Sequence, residues 1–378
     1  MSTEQAPAPA AAAAPAAAAS VPETHLAKLT ARLADITARA GHGEMWGVEL
    51  SASDHAPTQV ILQKFLRANN GDVAAAEKQL AAALEWRKKV NPAALVAEAF
   101  DRTKFGDLGF VTTHRDAAGK ETVITWNIYG SVKNNKATFG DVQEFIKWRA
   151  ALMELSLQQL HLNDIKEPIA EGADAADQHQ MLQVHDYQSV SFFRMDPDVK
   201  AASKETIQIF SMAYPELLAH KYFVNVPAIM GWMFGAMKLF LAPATLRKFH
   251  PMTSGTTLAT ELKGIVASLP KEYGGQGPSV KEGLTVALKN VVVEKEEVPA
   301  EAGEAPVAAV SDSKVPEEHK PEAHKLEDDK PVEETKPAAA VVDAVVDAGV
   351  DKAEVEGKAE ETKPATEAAQ AADKETAP

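Results

Sequence analysis

The stretch MLQVHDY, Met181–Tyr187, is followed by VKAASKETIQIFSM, Val199–Met212, and then by HKYFVNV, His220–Val226. The first and third are short and rich in branched and aromatic residues, so they read as strands; the middle one reads as a helix. Upstream, Gly109–Thr113 and Thr122–Tyr129 read as two more strands around a turn at Asp116–Lys120, and Phe139–Leu160 as a helix with Phe145, Trp148, Leu152 and Leu155 along one side. Downstream lie an apolar helix at Ala228–Leu241, a short strand at Lys248–Met252 and a helix from Leu258 to Ser268, ending before Pro270. Strands alternating with helices predict an α/β fold, a sheet with helices packed on it, over residues 93–290.

A purely helical module precedes it, over residues 23–92. Ala-rich, Leu-spaced sequence runs from Thr24 to Ala40 and breaks at Gly41-His42-Gly43. Pro57 suits a first helical turn, and Val60, Leu62, Phe65 and Leu66 form an apolar face. Asn69-Asn70-Gly71 stops that helix. Asp72 is a cap for the next, which carries Val73, Ala76, Leu80, Ala83 and Leu84 and ends at Asn91-Pro92.

Both ends differ in composition. Residues 1–22 form an Ala/Pro-rich arm with neither the basic flank nor the apolar centre of a signal peptide. From Val293 to Pro378 there are 24 Asp/Glu against 10 Lys/Arg, net −14 of the −15 carried by the whole chain, and no aromatic residue. Such a segment buries too little apolar surface to offset its ordering entropy, so residues 291–378 are expected to be a disordered acidic tail. The remainder is nearly neutral, which argues against a nucleic-acid partner. The absence of cysteine excludes disulfides, thiolate zinc sites and iron–sulfur clusters. The longest apolar run, Val226–Pro243, is short for a membrane span and contains Lys238.

No phosphate loop, nucleophile elbow or zincin motif is present, so an enzyme is not expected. His114-Arg115-Asp116 has the letters of a kinase catalytic loop but lies in the hairpin, and reads as a solvated turn. The helix at Ala228–Leu241 is apolar nearly all round, which fits a core helix. Its Trp232, Met233, Phe234 and Met237 equally suit an adaptable lid over a hydrophobic cavity.

Four spaced motifs then carry a resemblance: Tyr214-Pro215-Glu216, Tyr222–Pro227, Leu241–Thr245, and Leu269-Pro270-Lys271-Glu272-Tyr273-Gly274-Gly275. With Phe65-Leu66-Arg67-Ala68, Asp72-Val73 and Glu85-Trp86-Arg87 upstream, the series resembles the CRAL-TRIO lipid-binding family across residues 57–275. The resemblance implies a CRAL-TRIO-type mixed sheet and helices around a hydrophobic pocket, with a movable helix at Ala228–Leu241. It implies phosphatidylinositol as ligand, its head group held by Glu216, Thr245 and Lys248, where Lys248 neutralises phosphate and Glu216 and Thr245 bond inositol hydroxyls. The family's basic pair after Leu-Arg-Ala is replaced here by Asn69 and Asn70.

In Val184-His185-Asp186-Tyr187, strand alternation points His185 and Tyr187 the same way and Asp186 the other. Read alone, they form a hydrogen-bonded core pair. The His-x-Tyr strand is similar, however, to the haem-binding branch of fungal phosphatidylinositol transfer proteins. That likeness implies haem b as cofactor, Tyr187 as axial ligand of the haem iron, His185 beside it, and Tyr129, Arg149 and Lys221 as further haem-binding residues. Alone, Arg149 also reads as a helix-surface charge and Lys221 as a solvated strand end.

The resemblance thus implies a carrier that moves phosphoinositide between membranes, or alternatively a haem sensor or buffer in oxidative stress. It implies a cytoplasmic protein in peripheral, reversible contact with endoplasmic reticulum or microsomal membranes. A scaffold recruiting partners through its acidic tail is the third possibility.

Overall fold

A computed structural model describes residues 23–170, 172, 175–190, 196–227 and 247–291. The arm, the acidic tail and the helix expected at Ala228–Leu241 lie outside the described residues.

The helical module begins with α1, His25–Ala40, where the Thr24 side chain accepts from Ala27 N and Gly41 closes the end in a left-handed turn (φ 61°). A two-strand hairpin, β1 (Glu44–Met45) and β2 (Val48–Glu49), follows. Then come α2, Ala56–Ala68, with Pro57 in its first turn, and α3, Val73–Val90, capped by Asp72 through Ala74 N and Ala75 N. Asn91 ends α3 in the left-handed region (φ 50°), and a one-turn helix α4, Pro92–Leu95, leads out of the module.

After β3 (Phe100–Asp101) and α5 (Arg102–Phe105), the main sheet begins with β4, Gly109–Arg115, and β5, Glu121–Ile128. They pair antiparallel around a turn in which Asp116 Oδ1 accepts from Ala118 N and Lys120 N. Helices α6 (Asn135–Phe139) and α7 (Val142–Gln158) lead to β6, Met181–Asp186; α8 (Pro197–Ala213) leads to β7, Leu218–Val224; β8 is Phe249–Pro251. Among the described residues the sheet runs β4-β5-β6-β7-β8, parallel from β5 onward. A one-turn helix α9, Leu258–Glu261, follows, and β9, Leu288–Lys289, closes the chain's path against β3. Just before it, Leu284 exchanges both backbone hydrogen bonds with Val111, covering the outer edge of β4.

Strand alternation separates two faces. Ile124, Trp126, Leu182, Val184, Tyr222 and Val224 pack on Leu258, Ile265, Leu269 and Tyr273. The opposite face meets α7 and α8, and its core runs without a break through Trp148, Leu152 and Ala213 into Leu33, Phe65 and Leu80 of the helical module. A buried charge network stitches the seam. Arg87 donates to Glu44 and Glu154, and the Tyr214 hydroxyl donates to Glu154 Oε1 at 2.8 Å. Burial alone lowers the Arg87 pKa, but the facing Glu154 carboxylate more than offsets this and holds it above its ordinary value. Removing one partner of such a network costs about 3–5 kcal/mol. This explains why Glu85-Trp86-Arg87 and Tyr214-Pro215-Glu216 occur together: Trp86 also meets the Tyr214 ring edge-on at 5.9 Å.

Four sequence expectations need correction. The helix expected at Phe139–Leu160 starts only at Val142, where the Asp141 side chain caps it through Glu144 N, and Phe139 instead ends the short α6. The helix expected at Leu258–Ser268 breaks after Glu261: Leu262 leaves the helical region, and Thr257 and Thr260 hydroxyls bond backbone carbonyls nearby. His114 is not in a solvated turn. It lies within β4, buried, between the Thr112 hydroxyl (2.7 Å) and the Ser268 hydroxyl (3.0 Å). Tyr129 and Tyr187 lie just past the strands expected to include them.

Candidate functional site

On the face toward α7, side chains line up in rows fixed by the register. Thr125, Gln183, Lys221 and Phe249 are neighbours across β5–β8; Asn127, His185, Phe223 and Pro251 form the next row. Five of these eight are polar, and four of the five, Thr125, Asn127, His185 and Lys221, are at most 3 % exposed. Burying a polar belt costs free energy unless something satisfies it.

The five residues expected around haem converge here. Tyr129 and His185 meet edge-on at 5.3 Å, Tyr129 and Tyr187 lie 5.5 Å apart, and His185 meets Phe223 at 5.9 Å. Tyr187 stacks on Phe223 at 6.4 Å, and the Lys221 ammonium sits 5.6 Å from the same ring. From α7, Arg149 reaches in and donates Nη1 to Asn127 Oδ1, with its guanidinium 5.2 Å over the Phe210 ring. Arg149 is 4 % exposed, so it is no helix-surface charge, and Lys221 at 3 % is no solvated strand end.

Arg149 is the unusual member. Among the described residues no carboxylate pairs with it, and neither its Nε nor the Nδ2 of its partner Asn127 makes a hydrogen bond. These donors, one of them on a cation, belong to a polar belt that also carries the rings of Tyr129, Tyr187 and Phe223. Such a belt accommodates a flat or greasy guest that also carries an anionic oxygen.

Glu216 and Lys248 form a second, separate arrangement. The Lys248 ammonium lies 3.2 Å from Glu216 Oε2, and both side chains are about one third exposed (29 % and 32 %). Glu216 sits in the left-handed region (φ 55°). The two arrangements touch through backbone, since Lys221 N donates to Lys248 O at 2.7 Å. Thr245 and the lid residues Trp232, Met233, Phe234 and Met237 lie outside the described residues. Asn69 does not face this pair: its amide caps α2 through Phe65 O and bonds Gln79, whose own amide holds Ser211 O and Met212 O at the end of α8.

Three further residues belong to these sites although sequence reasoning passed over them. Asn127 and Gln183 are polar positions of strands that share the inward parity of Thr125 and His185; that parity was the available signal. Lys64 is a charge on an otherwise apolar helix face. It is fully buried, binding Asp177 and the carbonyls of His179 (2.8 Å) and Glu216 (3.0 Å). Burial pulls its pKa below the usual lysine value, and Asp177 offsets part of that. Among the described residues no three His, Asp or Glu side chains gather as a metal-ion site.

Residues 109–275 match the CRAL/TRIO domain, and residues 25–82 match the CRAL/TRIO N-terminal domain. A phosphatidylinositol transfer protein sfh5 of Sclerotinia sclerotiorum is 54 % identical over 263 residues, 69 % of this chain and 63 % of that protein. One of Aspergillus fumigatus bearing the same name is 52 % identical over 277 residues, 73 % of this chain and 64 % of its own length. The chain thus spans slightly less than two thirds of these relatives. A crystal structure of Sfh5 superposes with a TM-score of 0.56 at 30 % identity, covering 69 % of this chain and 90 % of the other.

Proposed function

The chain belongs to the CRAL/TRIO family, and from that premise we propose that it binds phosphatidylinositol and carries it between membranes, as a carrier and not an enzyme. The observation behind this reading is the partly exposed Glu216–Lys248 pair, held at the edge of the sheet next to a buried wall. A carboxylate and an ammonium at 3.2 Å neutralise one another until a head group arrives. The lipid phosphate then takes the lysine, and inositol hydroxyls donate to the freed carboxylate. With no described helix long and apolar enough to cross a membrane, contact with endoplasmic reticulum or microsomal membranes is peripheral and reversible in this reading. Transfer of labelled phosphatidylinositol between vesicles tests it. Wild-type protein moves the lipid and Lys248→Ala moves it about tenfold more slowly; no transfer by wild type sinks the reading.

A second ligand, haem b in the same domain, has its own observation: the buried Arg149 without a carboxylate partner, next to the open amide of Asn127. The residues fit that group. Tyr187 is a phenol for the iron, His185 lies within ring contact of it (6.4 Å), Tyr129 and Phe223 supply flat walls, and Arg149 with Lys221 supplies cations for carboxylates. Bound haem would supply a ferric centre, suited to sensing or buffering under oxidative stress. Arg149 and Lys221 fix the orientation of the guest, and the aromatic wall excludes water from it. Lipid and haem share one wall and exclude each other. Purified protein absorbs in the Soret region under this reading, and colourless protein that takes up no added haem defeats it.

A further inference from the structure

The head-group pair is not held by its own strands alone. Glu216 carries a left-handed backbone, a conformation that costs a residue with a Cβ free energy unless its surroundings impose it. Its carbonyl oxygen accepts two side-chain donors, Lys64 Nζ at 3.0 Å and Gln180 Nε2 at 3.1 Å. Lys64 comes from α2, in the helical module, and reaches across the seam fully buried. Its other two bonds, to the Asp177 carboxylate and the His179 carbonyl, fix the ammonium so that its third proton has one target. The same Glu216 presents its carboxylate to Lys248.

We propose that Lys64 is a positioning residue for head-group recognition: by holding the Glu216 carbonyl it imposes the backbone turn that aims the Glu216 carboxylate at Lys248. The inference rests on the phosphatidylinositol reading above and makes the helical module part of the specificity device. A charged hydrogen bond of this kind is worth about a tenfold change in an equilibrium. Removing it lets Glu216 relax toward an ordinary backbone and swings its carboxylate away from the inositol hydroxyls. The acyl-chain wall is untouched, so discrimination falls and general lipid uptake does not.

The test uses the full chain and two vesicle preparations of matched acyl chains, one carrying labelled phosphatidylinositol and one labelled phosphatidylcholine. Lys64→Met alone strands the buried Asp177, so the variant of choice is Lys64→Met with Asp177→Leu, which removes both charges together. The expected result is a roughly tenfold fall in phosphatidylinositol uptake relative to phosphatidylcholine, with a cooperative thermal transition retained. Gln180→Ala removes the other donor to the same carbonyl without disturbing a buried charge, and lowers the same ratio by roughly twofold to threefold, as for a neutral hydrogen bond. A parallel loss of both lipids shows Lys64 to be a structural tie and overturns the proposal, as does an unchanged ratio. If the double variant fails to fold, the Gln180→Ala ratio decides in the same way. A wild-type protein that takes up no phosphatidylinositol overturns the head-group reading, and this inference with it; a selective wild type with indifferent variants overturns the inference alone.

Discussion

The corner made by Glu216 and Lys248 and the belt made by Asn127, Arg149, His185 and Lys221 are both polar, but they dispose of charge in opposite ways. At the corner a carboxylate and an ammonium answer each other, and both are about one third exposed to water. In the belt, Arg149 is withdrawn from water and has neither a carboxylate nor a partner for its Nε among the described residues. A self-neutralised, partly exposed pair contributes roughly 0–1 kcal/mol to stability and exchanges partners readily. An unanswered buried cation costs several kcal/mol and persists where a ligand's gain offsets it. The corner is therefore suited to a guest that comes and goes, and the belt to one that stays.

That contrast breaks first at the belt's iron-binding candidate. Tyr187→Phe removes the only oxygen of that side chain, and should abolish most of the Soret absorbance after haem loading while leaving vesicle transfer of phosphatidylinositol, compared between haem-free proteins, near wild type. Loss of both activities together would show that belt and corner are not separable. Next, replacing the unanswered group and its partner together, Arg149→Met with Asn127→Leu, should weaken any carboxylate-bearing guest. The same change should stabilise the guest-free protein by about 1–4 kcal/mol, read as a raised Tm in calorimetry. Lowered stability would mean that the belt is satisfied without a guest. Lys248→Ala sharpens the other side: transfer of phosphatidylinositol should fall about tenfold, with a stability change under roughly 1 kcal/mol.

The smallest effect concerns histidines of the face away from α7. His114, His220 and His250 are held below the ordinary imidazole range, in each case chiefly by burial, with the Lys248 charge adding to the effect at His220. A folded state that resists protonation is at its most stable above the unfolded imidazole value of about 6.5, and loses stability as pH falls below it. Tm should therefore decline from pH 7 toward pH 5, and His114→Gln should flatten that slope. A Tm that rises on acidification would contradict the burial of His114.

Much of this architecture is legible before any coordinates. The Leu spacing from Thr24 to Ala40 and the cap at Asp72 place α1 and α3 to within a residue or two, because helix ends are local hydrogen-bonding problems solved by adjacent side chains. The alternation in Met181–Tyr187 puts His185 and Tyr187 on one side, as the ring contacts show. Leu258–Ser268 departs from its local pattern for the converse reason: its apolar spacing suits a helix, while threonine hydroxyls and contacts with the sheet keep it in single turns. Lys64 and Asn127 gave only the faint signal of a polar residue at an inward position.

The sequence by itself determined the α/β class, the helical module before it, and the family motifs, because periodicity, capping and turn chemistry act over a few residues. Only the tertiary structure decided what those motifs surround. Whether Arg149 is a surface charge or a buried one depends on what α7 packs against, and whether Lys64 matters to Glu216 depends on how the two modules meet. Those are questions of desolvation and long-range contact, and no local pattern carries the free energy that answers them.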